Sequence, residues 1–189
     1  MPRLWNETID AHKRAVDEAI LGATAALVQS GGLGSVTMSG VAAAAGIGRA
    51  TLYKYYPSVK AVLRAWHERV VGQHLAHLRE VRDGPGDPLA RLEAVLEGFA
   101  LSARAHPGVD VAAALHRGTH VARAHEELRT LLEDLLLEGV KSGDVRADVA
   151  PGELVLYCLH ALGAACHLPS EAAVRTLVTV TISGLRQGR

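Results

Sequence analysis

The stretch from Thr37 to Tyr56, TMSGVAAAAGIGRATLYKYY, decides how this chain folds and what it meets. It reads as a short helix, a turn at Ala45-Gly46-Ile47, and a second short helix carrying Arg49, Thr51, Tyr53, Lys54 and Tyr55. Thr37 suits the N-cap of the first helix, where its hydroxyl can satisfy an otherwise orphaned amide. Val41, Ala42 and Ala45 make that helix's inward face, and Gly46 permits the backbone reversal. Three of the four tyrosines stand at positions 53, 55 and 56. Between Glu18 and Glu68 there is no acidic residue, whereas Arg49, Lys54, Lys60 and Arg64 are basic. A helix pair free of negative charge and tipped with hydroxyls and cations suits a phosphate-lined groove. The expected partner is double-stranded DNA.

Outside this stretch the charge divides unevenly. The formal sum over 189 residues is zero, yet residues 1–80 hold nine Lys/Arg against six Asp/Glu, and the remainder eleven against fourteen. A basic front and an acidic rear leave only the front to meet a polyanion. Cys158 and Cys166, eight apart on an expected helix, lie roughly 12 Å apart along its axis, too far for a mutual disulfide. They read as small buried hydrophobes of a reducing compartment. The polar opening, Met1 to Arg14, does not read as a signal peptide, and no apolar run approaches the roughly 20 residues that span a bilayer. A cytoplasmic protein without a membrane segment is expected.

Helical periodicity runs through nearly the whole chain. The first helix is expected from near Asn6 or Asp10 to Ser30, with Val16, Ala19, Ile20, Ala23 and Leu27 on one face and Gly31-Gly32 as its stop. The third covers about Gly48 to Tyr55, and the fourth runs from near Ser58 to Arg82. Asp83-Gly84-Pro85-Gly86-Asp87-Pro88 is the clearest loop. Further helices are expected at Pro88–Ala105, Val109–Arg117, His120–Ser142, Pro151–Leu168 and Ser170–Gln187. The fold expected is all-α, about nine helices in two lobes: residues 1–57 as a three-helix DNA-binding domain, and 58–189 as a helical effector-binding and dimerisation domain.

The run Thr37-x3-Val41-Ala42-x2-Ala45-Gly46-Ile47-x3-Thr51-Leu52-Tyr53-x-Tyr55-Tyr56-x-Ser58 closely resembles the helix-turn-helix of TetR-type transcriptional regulators. Ile20-x2-Ala23 and Gly32-Leu33-x2-Val36 resemble that family's first helix and its exit, so the likeness covers about residues 10–65. It implies a homodimeric repressor on a near-palindromic operator, released when a small molecule binds the rear lobe. It also implies that Tyr53 and Tyr55 touch backbone phosphates.

The residues carry their own chemistry beside this. Thr37 at a helix N-terminus presents a hydroxyl and an amide cluster suited to phosphate, which is compatible with simple capping. Arg49 can pair with guanine O6 and N7, or stand as an ordinary solvated cation. Ala50 and Thr51 are small enough to let the helix enter a groove, and Lys54 can serve a phosphate or a base. Leu52 and Tyr56 read as core, Tyr56 standing where the family usually has Phe. Two departures stand out. Val59 occupies the usual place of a phosphate-gripping Lys, with Lys60 one residue, about 100° of helix, further on. Gly48 replaces the usual polar cap of the reading helix.

In the rear lobe, two apolar stripes suit either a dimer interface or internal packing. One carries Tyr157, Cys158, Ala161, Leu162, Ala165 and Cys166; the other carries Val174, Leu177, Val178, Thr181, Ile182 and Leu185. Trp66, Leu96, Phe99, Val111, Leu115, His116 and Leu132 are the bulky residues available to line an effector pocket, though such stripes are more often plain core. Among ten histidines, His74/His77, His116/His120 and His160/His167 share helical faces, but no Cys or carboxylate completes a metal set, so neither a metal nor a cofactor is expected. No P-loop, HExxH, Rossmann glycine pattern or catalytic triad is present, which argues against an enzyme. The other reading is a DNA-binding adaptor whose rear lobe holds a protein partner rather than a small molecule.

Overall fold

In the computed structural model, residues 2–105 and 119–187 are described, with side chains for 9–105 and 121–187. Eight α-helices lie among them: α1 (Pro2–Gly31), α2 (Met38–Ala44), α3 (Arg49–Tyr55), α4 (Val59–Arg82), α5 (Pro88–Ala105), α6 (Thr119–Ser142), α7 (Pro151–Gly163) and α8 (Glu171–Leu185). The helix expected at 109–117 lies outside the described residues. The chain forms two compact units, the first closing at Val70 and the second opening at Val71, so α4 contributes to both. None of the described helices is long and apolar enough to cross a membrane.

The front unit is built on α1. This helix begins at Pro2, earlier than its apolar periodicity indicates, because a proline in the first turn lacks only an amide that the turn does not use. It ends where Gly32 takes φ 72°, a left-handed conformation open to glycine. A 3-10 turn, Leu33–Ser35, then leads into α2. The core gathers Ile20 and Leu21 of α1, Val36, Met38, Val41, Ala42, Leu52 of α3, and Val62, Leu63 and Trp66 of α4. Thr24, fully buried, returns its hydroxyl to the Ile20 carbonyl at 2.8 Å and so carries no unpaired polar atom. The hydrophobic core thus runs past the Pro57-Ser58 break into the first half of α4.

In the rear unit α5 packs against α6, α7 and α8. Leu92, Val95, Leu96 and Ala100 of α5 meet Leu128, Leu132, Leu135 and Leu136 of α6, with Val155, Cys158 and Leu162 of α7 and Val174, Val178, Ile182 and Leu185 of α8. Asp87 caps α5 at the Ala90 amide (2.8 Å) and Ser170 caps α8 at Ala173 (3.2 Å). At Gly139 the chain passes so closely that an added Cβ would lie 2.5 Å from Val145 Cγ2.

Two expected boundaries change. The Pro151–Leu168 helix keeps its α form only to Gly163 and then tightens into a 3-10 turn, Ala164–His167. Leu168 is extended (φ −80°, ψ 144°), the conformation that a following proline favours. The last helix stops at Leu185 because Arg186 leaves it to pair with Val145 in an isolated antiparallel bridge.

The two stripes offered as a dimer face mostly turn inward. Cys158, Leu162, Ala165, Val174, Val178, Thr181, Ile182 and Leu185 are buried in the chain's own core, where they cover α5 and α6. Leu156, Tyr157 and Val180 are left exposed, Val180 at 60%. Both cysteines are free thiols. Burial pushes the Cys158 thiol up to about 12, while Cys166 donates to the Gly163 carbonyl at 3.2 Å.

Candidate nucleic-acid interface

The helix pair assembles from local rules. The Gly40 amide donates to Thr37 Oγ1 at 3.0 Å, closing the first turn of α2. At its other end the Ile47 amide reaches back to the Ala42 carbonyl (3.0 Å), and Gly46 takes φ 68°. This reverses the chain within three residues. Gly48, extended, leads into α3 without a side-chain cap, its carbonyl accepting from the Thr51 amide at 3.0 Å. Only Leu52 of α3 is fully buried; it pins one face of a seven-residue helix to the core.

The opposite face is open. Thr37, Arg49, Ala50, Lys54 and Lys60 are exposed, and Tyr53 is 48% exposed. Thr51 is half-buried, and Tyr55 is half-buried against the front core, so its ring shares duty with packing. Val59 turns inward onto the same core while Lys60 turns out, which explains the one-residue offset of the α4 cation. Among the described residues no carboxylate forms an ion pair with Arg49, Lys54, Lys60 or Arg64. A surface of unengaged cations, a threonine at a helix N-terminus and a half-exposed phenol can bond phosphate oxygens and base edges.

Tyr56 takes its expected place against the core and adds a polar bond to it. Its ring packs against the front core, but its hydroxyl donates to Asp17 Oδ1 of α1 at 2.5 Å. Burial, the bond to Asp17 and that carboxylate's charge all raise the phenol above its ordinary range. Asp17 was invisible as a functional residue; the only signal was a tyrosine where the family has phenylalanine.

The residues offered as effector contacts divide. Trp66 belongs to the front core, its ring 6.4 Å from that of His67, because α4 gives its first half to that unit. Leu96 and Leu132 are wholly buried in the rear core and Phe99 is half-buried against it. Val111, Leu115 and His116 lie outside the described residues, as does the side chain of His120. Of the histidine pairs, His74 bonds Ser102 (2.9 Å), His77 faces Glu80 (3.9 Å) and His160 bonds the Leu156 carbonyl (2.8 Å). Among the described residues no three His, Cys, Asp or Glu side chains are placed to hold a metal ion.

Comparison with known proteins agrees with this architecture. Residues 20–65 match the model for bacterial regulatory proteins of the tetR family, and residues 87–187 match the C-terminal domain of SbtR-like transcriptional regulators. A TetR/AcrR-family regulator from Thermobifida fusca superposes with TM-score 0.77 at 19% identity, covering 90% of this chain and 98% of that one. The regulator FadR from Bacillus subtilis, solved with stearoyl-CoA, superposes with TM-score 0.66 at 15% identity, covering 89% and 99%. The nucleoid occlusion factor SlmA of Idiomarina loihiensis is 28% identical over 123 residues, 65% of this chain. That match spans 61% of the relative's length. With a helix-turn-helix in front and a matching helical domain behind, this chain belongs to the TetR family: it is a DNA-binding transcriptional regulator and not an enzyme.

Proposed function

We propose that the protein is a homodimeric repressor that holds a near-palindromic operator and leaves it when a small molecule binds the rear unit. The observation that carries this reading is the set of exposed residues on the helix pair and the start of α4: Thr37 at the α2 N-cap, Arg49, Tyr53 and Lys54 of α3, and Lys60 of α4, with no ion-pairing carboxylate among the described residues. Arg49 is assigned to a base edge, Thr37, Tyr53, Tyr55 and Lys60 to phosphates, and Ala50 and Thr51 to close approach in the major groove. Lys54 serves either. Thr37 keeps its capping bond while its hydroxyl proton stays free to meet a phosphate.

One reading helix makes few base contacts, so tight binding calls for two, spaced by about 34–36 Å or a multiple of it. Leu156 and Tyr157 of α7 with Val180 of α8 support a self-association surface, since apolar side chains this exposed gain by meeting their equivalents in a second copy. The rear core, rich in leucine and valine with Phe99 at its margin, favours an aliphatic effector; the FadR neighbour was solved with a fatty acyl-CoA. Such an effector releases DNA only by binding the DNA-incompetent arrangement more tightly.

The test is selection of bound duplexes from a random pool, repeated with candidate small molecules. A recovered inverted repeat whose binding is lost on adding one compound supports the full reading. Recovery of a single half-site, or binding indifferent to every compound while a protein partner is retained, favours an adaptor instead.

A further inference from the structure

A seven-residue helix has no stability of its own, so the direction α3 presents to a groove is set by what holds its two ends. At its start Gly48 offers no side-chain cap. In its middle Leu52 is buried. Just beyond its end, the Tyr56 amide bonds the Leu52 carbonyl at 2.9 Å and the Tyr56 hydroxyl bonds Asp17 at 2.5 Å. Asp17 sits 39 residues earlier in the chain, on α1. The one polar side-chain bond tying α3's exit to α1 among the described residues is therefore a charge-assisted one, the stronger class. Both partners are half-buried, where leaving either unpaired is costly. Arg69 of α4 lies near enough for its charge to act on the phenol, and its Nε is buried without a hydrogen-bond partner among the described residues. Helices α1 and α4 thus both supply charge at the point where α3 ends.

We propose that the Tyr56 hydroxyl and Asp17 form a polar pin that fixes the orientation of α3 on α1, making both positioning residues for DNA recognition. A phenylalanine at position 56 would fill the same apolar seat but leave that orientation to packing alone. The inference rests on α3 being the reading helix. It has a distinctive electrostatic consequence. Removing the Asp17 charge should by itself strengthen attraction to a polyanion. Any weakening in an Asp17 variant must then come from lost geometry.

The experiment measures binding of a fluorescent duplex, recovered by selection from a random pool, beside a random-sequence duplex. It is run at a temperature where circular dichroism shows every variant fully folded. Tyr56→Phe and Asp17→Ala are each expected to weaken the selected duplex roughly 3–10-fold. The double variant should be no worse than the weaker single one, because both remove the same bond. Asp17→Asn keeps an acceptor oxygen and should bind as tightly as the parent or tighter. Unchanged affinity in Tyr56→Phe, or fully additive losses in the double variant, overturns the pin, even if melting temperatures fall. Arg49→Ala and Tyr53→Phe separate the two ideas. If they weaken binding while Tyr56→Phe does not, only the pin fails; if they too have no effect, α3 is not the reading helix and both fail.

Discussion

The two units use their side chains in opposite ways. In the front, the two short helices bury few residues and leave hydroxyls and cations outside: α2 buries Met38, Val41 and Ala42, and α3 buries Leu52 alone. In the rear, long helices bury whole stripes, and α5 sinks Leu89, Leu92, Val95, Leu96 and Ala100. The chemistry of the front is therefore on its surface, where residue type speaks of the partner. The rear's residue types speak mainly of packing. A fold can be equally well specified in both units while residue type names the partner in only one.

Core truncation tests that contrast most severely. Leu52→Ala and Leu132→Ala each remove a fully buried leucine and should each cost about 2–5 kcal/mol of stability, read by thermal melting. Their local effects should differ. Hydrogen exchange in Leu52→Ala should quicken across α2 and α3, since Leu52 is the one fully buried residue of α3. In Leu132→Ala the increase should be milder, because Leu128, Leu131, Leu135 and Leu136 remain on the same helix. Equal local loosening in both would break the distinction.

Next in size is the apolar surface of the rear. Val180→Asp places a charge at the most exposed valine of α8 and should leave the fold intact. If α7 and α8 join two copies, sedimentation should show a monomer, and affinity for an inverted repeat should fall about 100-fold as the second head loses its tether. A variant that remains dimeric would move the interface elsewhere.

How much of this was legible beforehand follows the same division. The Thr37 cap, the Gly46 reversal and the inward Val41 and Ala42 follow from short-range rules and stand as read. The offset between Val59 and Lys60 was visible, but which of the two turned outward depended on α4's rotation against the front core. On α7 and α8 periodicity identified the apolar stripes, yet a stripe does not say whether it covers its own chain or another. Cys158, Leu162 and Val178 went inward because α5 and α6 needed covering, a demand that arises only once the helices are assembled. The Tyr56–Asp17 bond joins residues 39 apart, and no local pattern encodes it.

Arg49→Ala sharpens the front half of the comparison. An exposed arginine with no ion-pairing partner among the described residues contributes little to stability, so the unfolding free energy should hold within about 0.5 kcal/mol. Selection from a random pool should instead show relaxed preference at one base pair in each half-site, worth about 1–3 kcal/mol. An unchanged sequence profile removes Arg49 from base readout and leaves it a phosphate contact.

The smallest effect discriminates two roles carried by one hydroxyl. Thr37→Ala deletes the acceptor that holds the Gly40 amide and should cost about 1 kcal/mol of stability. It should also weaken binding to every duplex alike, by about 0.5–1.5 kcal/mol, if the hydroxyl donates to a phosphate. Thr37→Ser keeps both functions and should match the parent. Thr37→Asp separates them, because a carboxylate caps a helix well but repels a phosphate. That variant should melt near the parent and bind DNA more weakly than Thr37→Ala. If it binds as the alanine variant does, Thr37 caps α2 without touching the backbone of DNA.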